Sequence, residues 1–206
     1  DWRGVFHSTP LNVANWLKET LPGLYQHRIY VSATLTVGKS FDNLIQRLGL
    51  TDDEPVTDIF DSPFDFKRQA LLAIPTDMPY PQVSSDSLYL EDLSKFIADL
   101  AKIADGCTLV LFTARRTMGE VAPRLQGYLK ESDIEVLTQA QGNRTSIVER
   151  FRNAPQNGEK LILLGLRAFW EGVDIPGDPL KILVISRLPF DYFEHPVARA
   201  KRALYL

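Results

Sequence analysis

Three groups of residues in this sequence have side chains that could do chemistry, the first two of them on phosphates. The first is Ala33-Thr34-Leu35-Thr36-Val37-Gly38-Lys39-Ser40, which ends in Gly-Lys-Ser. With glycine at position 33 it would satisfy the phosphate-binding loop pattern, in which backbone N–H groups cradle phosphate and the lysine reaches it. The second is Thr113, Arg115 and Arg116. A hydroxyl beside two guanidiniums suits phosphate oxygens, which take charge-assisted hydrogen bonds. The third is Glu171, Gly172 and Asp174, two carboxylates around a glycine that permits close approach of a ligand to the backbone.

Each group also has a plainer reading. The octet carries bulky or β-branched residues (Thr34, Leu35, Thr36 and Val37) where a phosphate cradle favours small ones. A self-contained phosphate-loop NTPase or kinase using Lys39 further needs an Asp at the end of an apolar strand to hold Mg²⁺. The apolar runs here end Phe112-Thr113, Leu164-Gly165 and Ile185-Ser186. That activity stands as an alternative. Ser32 and Thr34 also suit a turn after a strand, Thr113–Arg116 a solvated helix start, and Asp174 a bond to its own backbone ahead of Pro176. Phe169 and Trp170 read as core aromatics rather than base-stacking platforms. His7, His27 and His195 show no metal-binding spacing, so no metal site is expected.

Composition narrows the classes. The chain has 206 residues, 45% hydrophobic and 24% charged, which excludes disorder and low complexity as descriptions of the whole. The single cysteine, Cys107, excludes a disulfide framework, a four-cysteine zinc site and a cysteine-ligated iron–sulfur cluster within these residues. No run approaches the roughly 18 apolar residues of a membrane span. The start, Asp1-Trp2-Arg3-Gly4, is neither a signal peptide nor an initiator methionine and reads as the edge of an excised piece. Net charge is −3, from 23 Lys and Arg against 26 Asp and Glu. Six of those acids lie in residues 51–66, a Pro-containing stretch without Lys or Arg that reads as a solvated connection. The remaining chain carries +3, which permits a phosphate-backbone partner.

The elements that must position these residues are legible as alternating patterns. Ile29–Ser32, Leu71–Ile74, Thr108–Thr113, Ile134–Thr138, Leu161–Leu164 and Ile182–Ser186 are predicted strands. Three of them contain stretches apolar at every position, the mark of strands buried on both faces of a parallel sheet. Leu90, Leu93, Phe96, Ile97, Leu100 and Ile103 follow the spacing of one helix face. Thr117 with Glu120 suggests a capping box, with Pro123 kinking that helix or moving its start. Asn143 is a candidate cap ahead of Ile147, Val148 and Phe151. Further helices are predicted over Phe41–Leu48, stopped by Gly49, and over Pro196–Leu206. Strands alternating with helices predict an α/β fold: a parallel sheet with helices on both faces, whose ligands sit at the carboxyl ends of the strands.

Four segments then fit together: Val31-Ser32-Ala33-Thr34-Leu35, Leu111-Phe112-Thr113-Ala114-Arg115-Arg116, Gly165 through Phe169-Trp170-Glu171-Gly172-Val173-Asp174-Ile175-Pro176-Gly177, and Ile185-Ser186-Arg187-Leu188-Pro189-Phe190. In this order and spacing they resemble the second motor domain of DinG-type helicases, bacterial relatives of the XPD helicase in superfamily 2. The resemblance covers nearly the whole chain and is most specific over Phe169–Gly177. It implies a RecA-like fold spanning 1–206 as a single domain, ATP-driven movement along single-stranded DNA, and a bacterial cytoplasmic setting.

ATP with Mg²⁺ would be shared with a first RecA-like domain. In the family that domain carries the true phosphate loop, the Asp-Glu-x-His motif and often an iron–sulfur cluster, none of which is in this chain. Gly172 and Asp174 would touch ATP, Asp174 accepting from a ribose hydroxyl or from a water of the Mg²⁺. Glu171 and Asp174 would form the catalytic pair, Glu171 fixing the loop or receiving the coupling from DNA. Ser32, Thr34, Thr113, Arg115 and Arg116 would grip DNA. Gly38-Lys39-Ser40-Phe41 becomes a variant of a family junction. Ala168 stands where many relatives have Ser, and Leu166 where Thr is common. The chain stops before the expected Gln-x-x-Gly-Arg element, so the fragment alone is expected to lack ATPase activity. A non-catalytic RecA-like interaction module is the remaining alternative.

Overall fold

A computed structural model describes residues 8–79, 87–190 and 195–204. His7 and the first four residues lie outside them. In chain order the helices are α1 (Ala14–Leu24), α2 (Asp42–Leu48), α3 (Phe66–Gln69) and α4 (Ser87–Ile103), then α5 (Arg115–Leu129), α6 (Arg144–Asn153) and α7 (Pro196–Leu204). The strands are β1 (Thr108–Leu111), β2 (Ile134–Thr138), β3 (Lys160–Gly165) and β4 (Ile182–Ile185). The chain divides into two compact units, Asp1–Leu72 with Asp191–Leu206, and Ala73–Phe190.

The second unit is a RecA-like α/β layer structure. Its four strands are all parallel in the order β2-β3-β1-β4. Thr108 lies opposite Ile162 on one side and Ile182 on the other, and Ile134 opposite Lys160. All of β1 and five of six positions in β3 are buried, as their unbroken apolar runs require. On one face α4 and α5 pack Leu90, Leu93, Ile97, Val121 and Leu125 against Val110, Phe112, Ile162 and Leu164. On the other, Ile147 and Phe151 of α6 join Leu109, Leu111, Leu161, Leu163 and Phe169. Phe112, Phe151 and Phe169 are fully buried, each contributing about 2–3 kcal/mol by area.

The structure departs from the sequence pattern at several elements. β4 is buried only at Val184, because it is the outer strand of this sheet; Leu183 and Ile185 are exposed. Ile103 also falls off the buried stripe of α4 and is 79% exposed. Helix α5 starts at Arg115 with no side-chain cap, two residues before the predicted box, so Thr117 is a buried helical residue. Glu120 pairs instead with Arg124, one turn along, and Pro123 is accommodated inside the helix. Ile29–Ser32 and Leu71–Ile74 are not strands. Among the described residues no strand meets their backbone groups, and Ile29, Val31 and Leu71 are almost wholly exposed.

In the first unit α1 packs on α2. Gly49 ends α2 in the left-handed conformation at φ +70°, and a Cβ there would lie 2.4 Å from Ala14 O. Part of the acidic stretch is anchored locally: Asp52 pairs with Lys18 and Asp53 with Arg28. The Lys18 contact holds the Asp52 carboxyl below its usual range.

Candidate functional site

The site grows from the carboxyl ends of β1 and β3. Beyond Leu111 the chain continues through buried Phe112, whose N–H donates to Gly165 O at 2.8 Å. Thr113 then emerges into solvent, and Ala114, in extended conformation, turns the chain into α5. The first turn of α5 contains Arg115 and Arg116, both exposed, and no acidic residue. A helix amino terminus carries partial positive charge and by itself favours Asp or Glu. Two arginines there instead add positive charge to a terminus that already favours an anion.

After β3, Leu166 leads into a single 3-10 turn, Arg167–Phe169, that drives Phe169 into the core. Glycine is required at 165, since a Cβ there would approach Phe169 Cβ to 2.6 Å. Trp170 is half-buried, and its Nε1 donates to Phe112 O at 3.3 Å, tying this loop to the end of β1. Both aromatics are packed, as the sequence predicts. Glu171, Gly172 and Asp174 follow, all exposed, with Gly172 at φ +64°.

What holds this loop is a residue that sequence reasoning missed. Asn143 caps α6, its Oδ1 accepting from Ser146 N at 2.9 Å, and so fixes Arg144 at the first helical position. Arg144 donates through Nε to Ala168 O at 2.8 Å, and through Nη2 to Glu171 O at 2.8 Å and Gly172 O at 2.6 Å. Two turns along, Arg152 Nη2 donates to Asp174 O. One helix thus grips the loop at both ends by its backbone. The detectable signal was Asn143-Arg144, a capped helix start with a base where the dipole favours an acid.

Because backbone does the holding, the candidate side chains stay available. Among the described residues, the side chains of Thr113, Arg115, Arg116, Glu171 and Asp174 have no hydrogen-bond or ion-pair partner. The plainer reading of Asp174, a carboxylate bonded to its own turn, is therefore not what the structure has. An unengaged carboxylate beside an exposed, positive-φ glycine fits a ribose hydroxyl or the hydration shell of Mg²⁺. A Cβ at Gly172 would meet Arg144 Nη2 at 3.3 Å.

Ser32 and Thr34 belong to the first unit. Their hydroxyls lie 3.4 Å apart, and Thr34 N–H donates to Ser32 Oγ at 3.3 Å, a local turn. The Gly-Lys-Ser stretch forms a tight hairpin. Val37 and Ser40 exchange N–H to O bonds of 2.9 and 3.0 Å across Gly38 and Lys39, which have φ of +58° and +68°. Two amides that a phosphate cradle would use are thus bonded within the turn. No group of three or more His, Cys, Asp or Glu placed to hold a metal occurs among the described residues. None of the described helices is long and apolar enough to cross a membrane.

The sequence itself matches known proteins. The family described as helicase C-terminal domain matches residues 97–205. A protein named 3′-5′ exonuclease DinG from Bacillus subtilis is 34% identical over 199 residues, covering 96% of this chain and 21% of the relative. ATP-dependent helicase DinG of Mycobacterium tuberculosis is 31% identical over 97% of this chain and 29% of the relative. ATP-dependent DNA helicase YoaA of Escherichia coli is 28% identical over 94% of the chain and 28% of the relative. The chain therefore spans between a fifth and three tenths of the length of these relatives.

Proposed function

From the premise that this chain belongs to the helicase C-terminal domain family, we propose that it is the second motor lobe of a DinG-type, ATP-dependent DNA helicase. The observation that carries this reading is the backbone-held loop at Glu171–Asp174 beside the arginine-bearing start of α5, at one edge of a parallel sheet. A parallel sheet offers ligands that edge. Matched relatives named as ATP-dependent helicases support the choice of ATP and DNA as those ligands.

In this mechanism ATP lies in a cleft completed by a first RecA-like domain of the same protein. Gly172 lets the nucleotide approach the backbone, and Asp174 accepts a hydrogen bond from a ribose hydroxyl or a Mg²⁺-bound water. Mg²⁺, when bound with the nucleotide, would supply neutralisation of the phosphate charge. Glu171, next to the carbonyls gripped by Arg144, transmits loop position between nucleotide and DNA. Thr113, Arg115 and Arg116 hold the DNA backbone by charge-assisted hydrogen bonds, and Ser32 and Thr34 contribute a second contact. Such contacts ignore base sequence, so binding is salt-sensitive and non-specific. The whole chain would act as one lobe in the bacterial cytoplasm, without turnover of its own.

The test compares the lone chain with the complete protein that carries it. The lone chain should hydrolyse no ATP, and the complete protein should bind single-stranded DNA with an affinity that falls steeply with salt. Robust turnover by the lone chain at homogeneity would contradict the two-lobe reading. Salt-independent DNA binding by the complete protein would contradict the phosphate grip.

A further inference from the structure

Arg187 lies two residues beyond β4, at the same carboxyl edge of the sheet as Thr113–Arg116 and Glu171–Asp174. The residue before it is held from two elements. Ser186 turns inward, its N–H and hydroxyl both donating to Leu111 O, at 3.1 and 2.9 Å. Tyr89, buried in α4, donates its hydroxyl to Ser186 O at 3.3 Å and presents its ring to the guanidinium, whose Cζ is 5.7 Å from the ring centroid.

The guanidinium is positioned but not satisfied. Its Nε and Nη2 are both buried and have no hydrogen-bond acceptor among the described residues. These nitrogens carry the parallel N–H bonds of one guanidinium edge, the fork that meets two oxygens of an oxyanion at once. Other orphaned polar atoms among the described residues are of a different kind. Arg152 leaves its Nε unmet while its Nη2 donates to Asp174 O, and Thr108 leaves one neutral hydroxyl. No carboxylate among the described residues pairs with Arg187. The Tyr89 ring meets the charge from one side, but buried N–H donors of a guanidinium that lack an acceptor are costly for a fold to retain. Native structures leave few such groups, and an absent ion or ligand is one standing reason for them.

We propose that the Arg187 fork is a phosphate-binding site, engaging two oxygens of one phosphate. The proposal rests on the reading of the chain as a helicase lobe, because that reading brings phosphates to this sheet edge. The long side-chain stem lets the fork turn from its covered position toward a ligand at that edge. Two sources share this chemistry: the backbone of single-stranded DNA and the phosphates of a nucleotide.

The experiment uses Arg187→Met and Arg187→Lys in the complete protein. Methionine keeps an unbranched apolar stem and removes the unmet charge, so Arg187→Met should fold, with a Tm equal to wild type or about 2–4 °C higher. Binding of labelled oligothymidylate is followed across salt concentrations, and ATP is titrated separately. If DNA supplies the phosphate, Arg187→Met weakens oligothymidylate binding about tenfold or more and flattens the log–log salt slope by about 0.7. Arg187→Lys then keeps the slope but loses affinity, since an ammonium lacks the fork. If the nucleotide supplies it, ATP affinity falls instead. Either pattern supports the site and identifies its source. Wild-type affinity for both ligands in Arg187→Met, whatever its Tm, overturns the proposal and leaves the lobe reading intact. Failure of the wild-type protein to bind either ligand overturns both.

Discussion

Replacing Arg144 with alanine removes three hydrogen bonds in one step, to the carbonyls of Ala168, Glu171 and Gly172. Buried bonds from a charged donor would together be worth several kcal/mol. Arg144 is exposed, however, and the freed carbonyls can turn to water, which reduces the loss to about 1–2 kcal/mol. At about 1.4 kcal/mol per tenfold, the loop should open roughly 5–30 times more often. Amide hydrogen exchange reads this directly. Phe169 and Trp170 donate to Leu166 O and Arg167 O at 2.8 and 3.2 Å, and both bonds lie in the segment Arg144 holds. Their exchange should accelerate by that factor in Arg144→Ala, while Ile97 in the middle of α4 stays at its wild-type rate. In the complete protein, ATP affinity should fall by no more than the same factor, because a smaller fraction of loops is competent to bind. Unchanged exchange at residues 169 and 170 would refute the clamp. An equal rise at Ile97 would also refute it, since the arginine would then support the fold as a whole and not the loop.

Other perturbations follow from the same geometry. Gly165→Ala forces a Cβ to within 2.6 Å of Phe169 Cβ, so urea denaturation should show a loss of about 1–3 kcal/mol; a neutral substitution would mean the turn is free to shift. Arg150 donates to both oxygens of Glu135 and also reaches Glu159, and the Arg150 contact holds the Glu135 carboxyl below its usual 4.5. A lowered folded-state value means that this stabilisation is present above the usual value and lost as pH falls through the folded one. The Tm gap between wild type and Glu135→Gln should therefore hold at neutral pH and close below about 4.5, whereas a pH-independent gap would exclude the ion pair as its cause. Removing Arg115 from the complete protein should flatten the salt slope of single-strand binding by about 0.7, and an unchanged slope would take Arg115 out of the footprint.

How much of this was legible in the sequence follows from where tertiary contacts dominate. Leu109–Phe112 and Leu161–Leu164 were readable as central strands because a short apolar run between turn signals suits a strand buried on both faces, although the equally apolar Leu71–Ile74 and Ile182–Ile185 show that the run alone does not decide the placement. Asn143 and Gly49 were readable as helix boundaries because their roles are local. Ile29–Ser32 and Ile182–Ser186 look alike in composition, yet only the latter finds a strand partner. Pairing is a property of neighbours, not of the segment. The start of α5 was misjudged for a similar reason: Thr117 has the composition of a cap, but packing under the sheet claims its side chain. In the site, Gly172 and Asp174 were visible as residue types, whereas Arg144 was not. An arginine in a helix's first turn looks like ordinary solvated charge until the fold brings residues 24 to 28 positions away against it.

The central claim is that this lobe completes an ATP site through the Glu171–Asp174 loop and couples it to DNA. The most direct measurement is single-strand-stimulated ATP hydrolysis by the complete protein, wild type against Asp174→Ala. Because the Asp174 side chain has no partner within the described chain, the variant should keep its Tm and lose ATP affinity or turnover by about tenfold or more. Single-strand binding measured without nucleotide should remain at wild-type strength. Wild-type hydrolysis and nucleotide affinity in Asp174→Ala would contradict the claim.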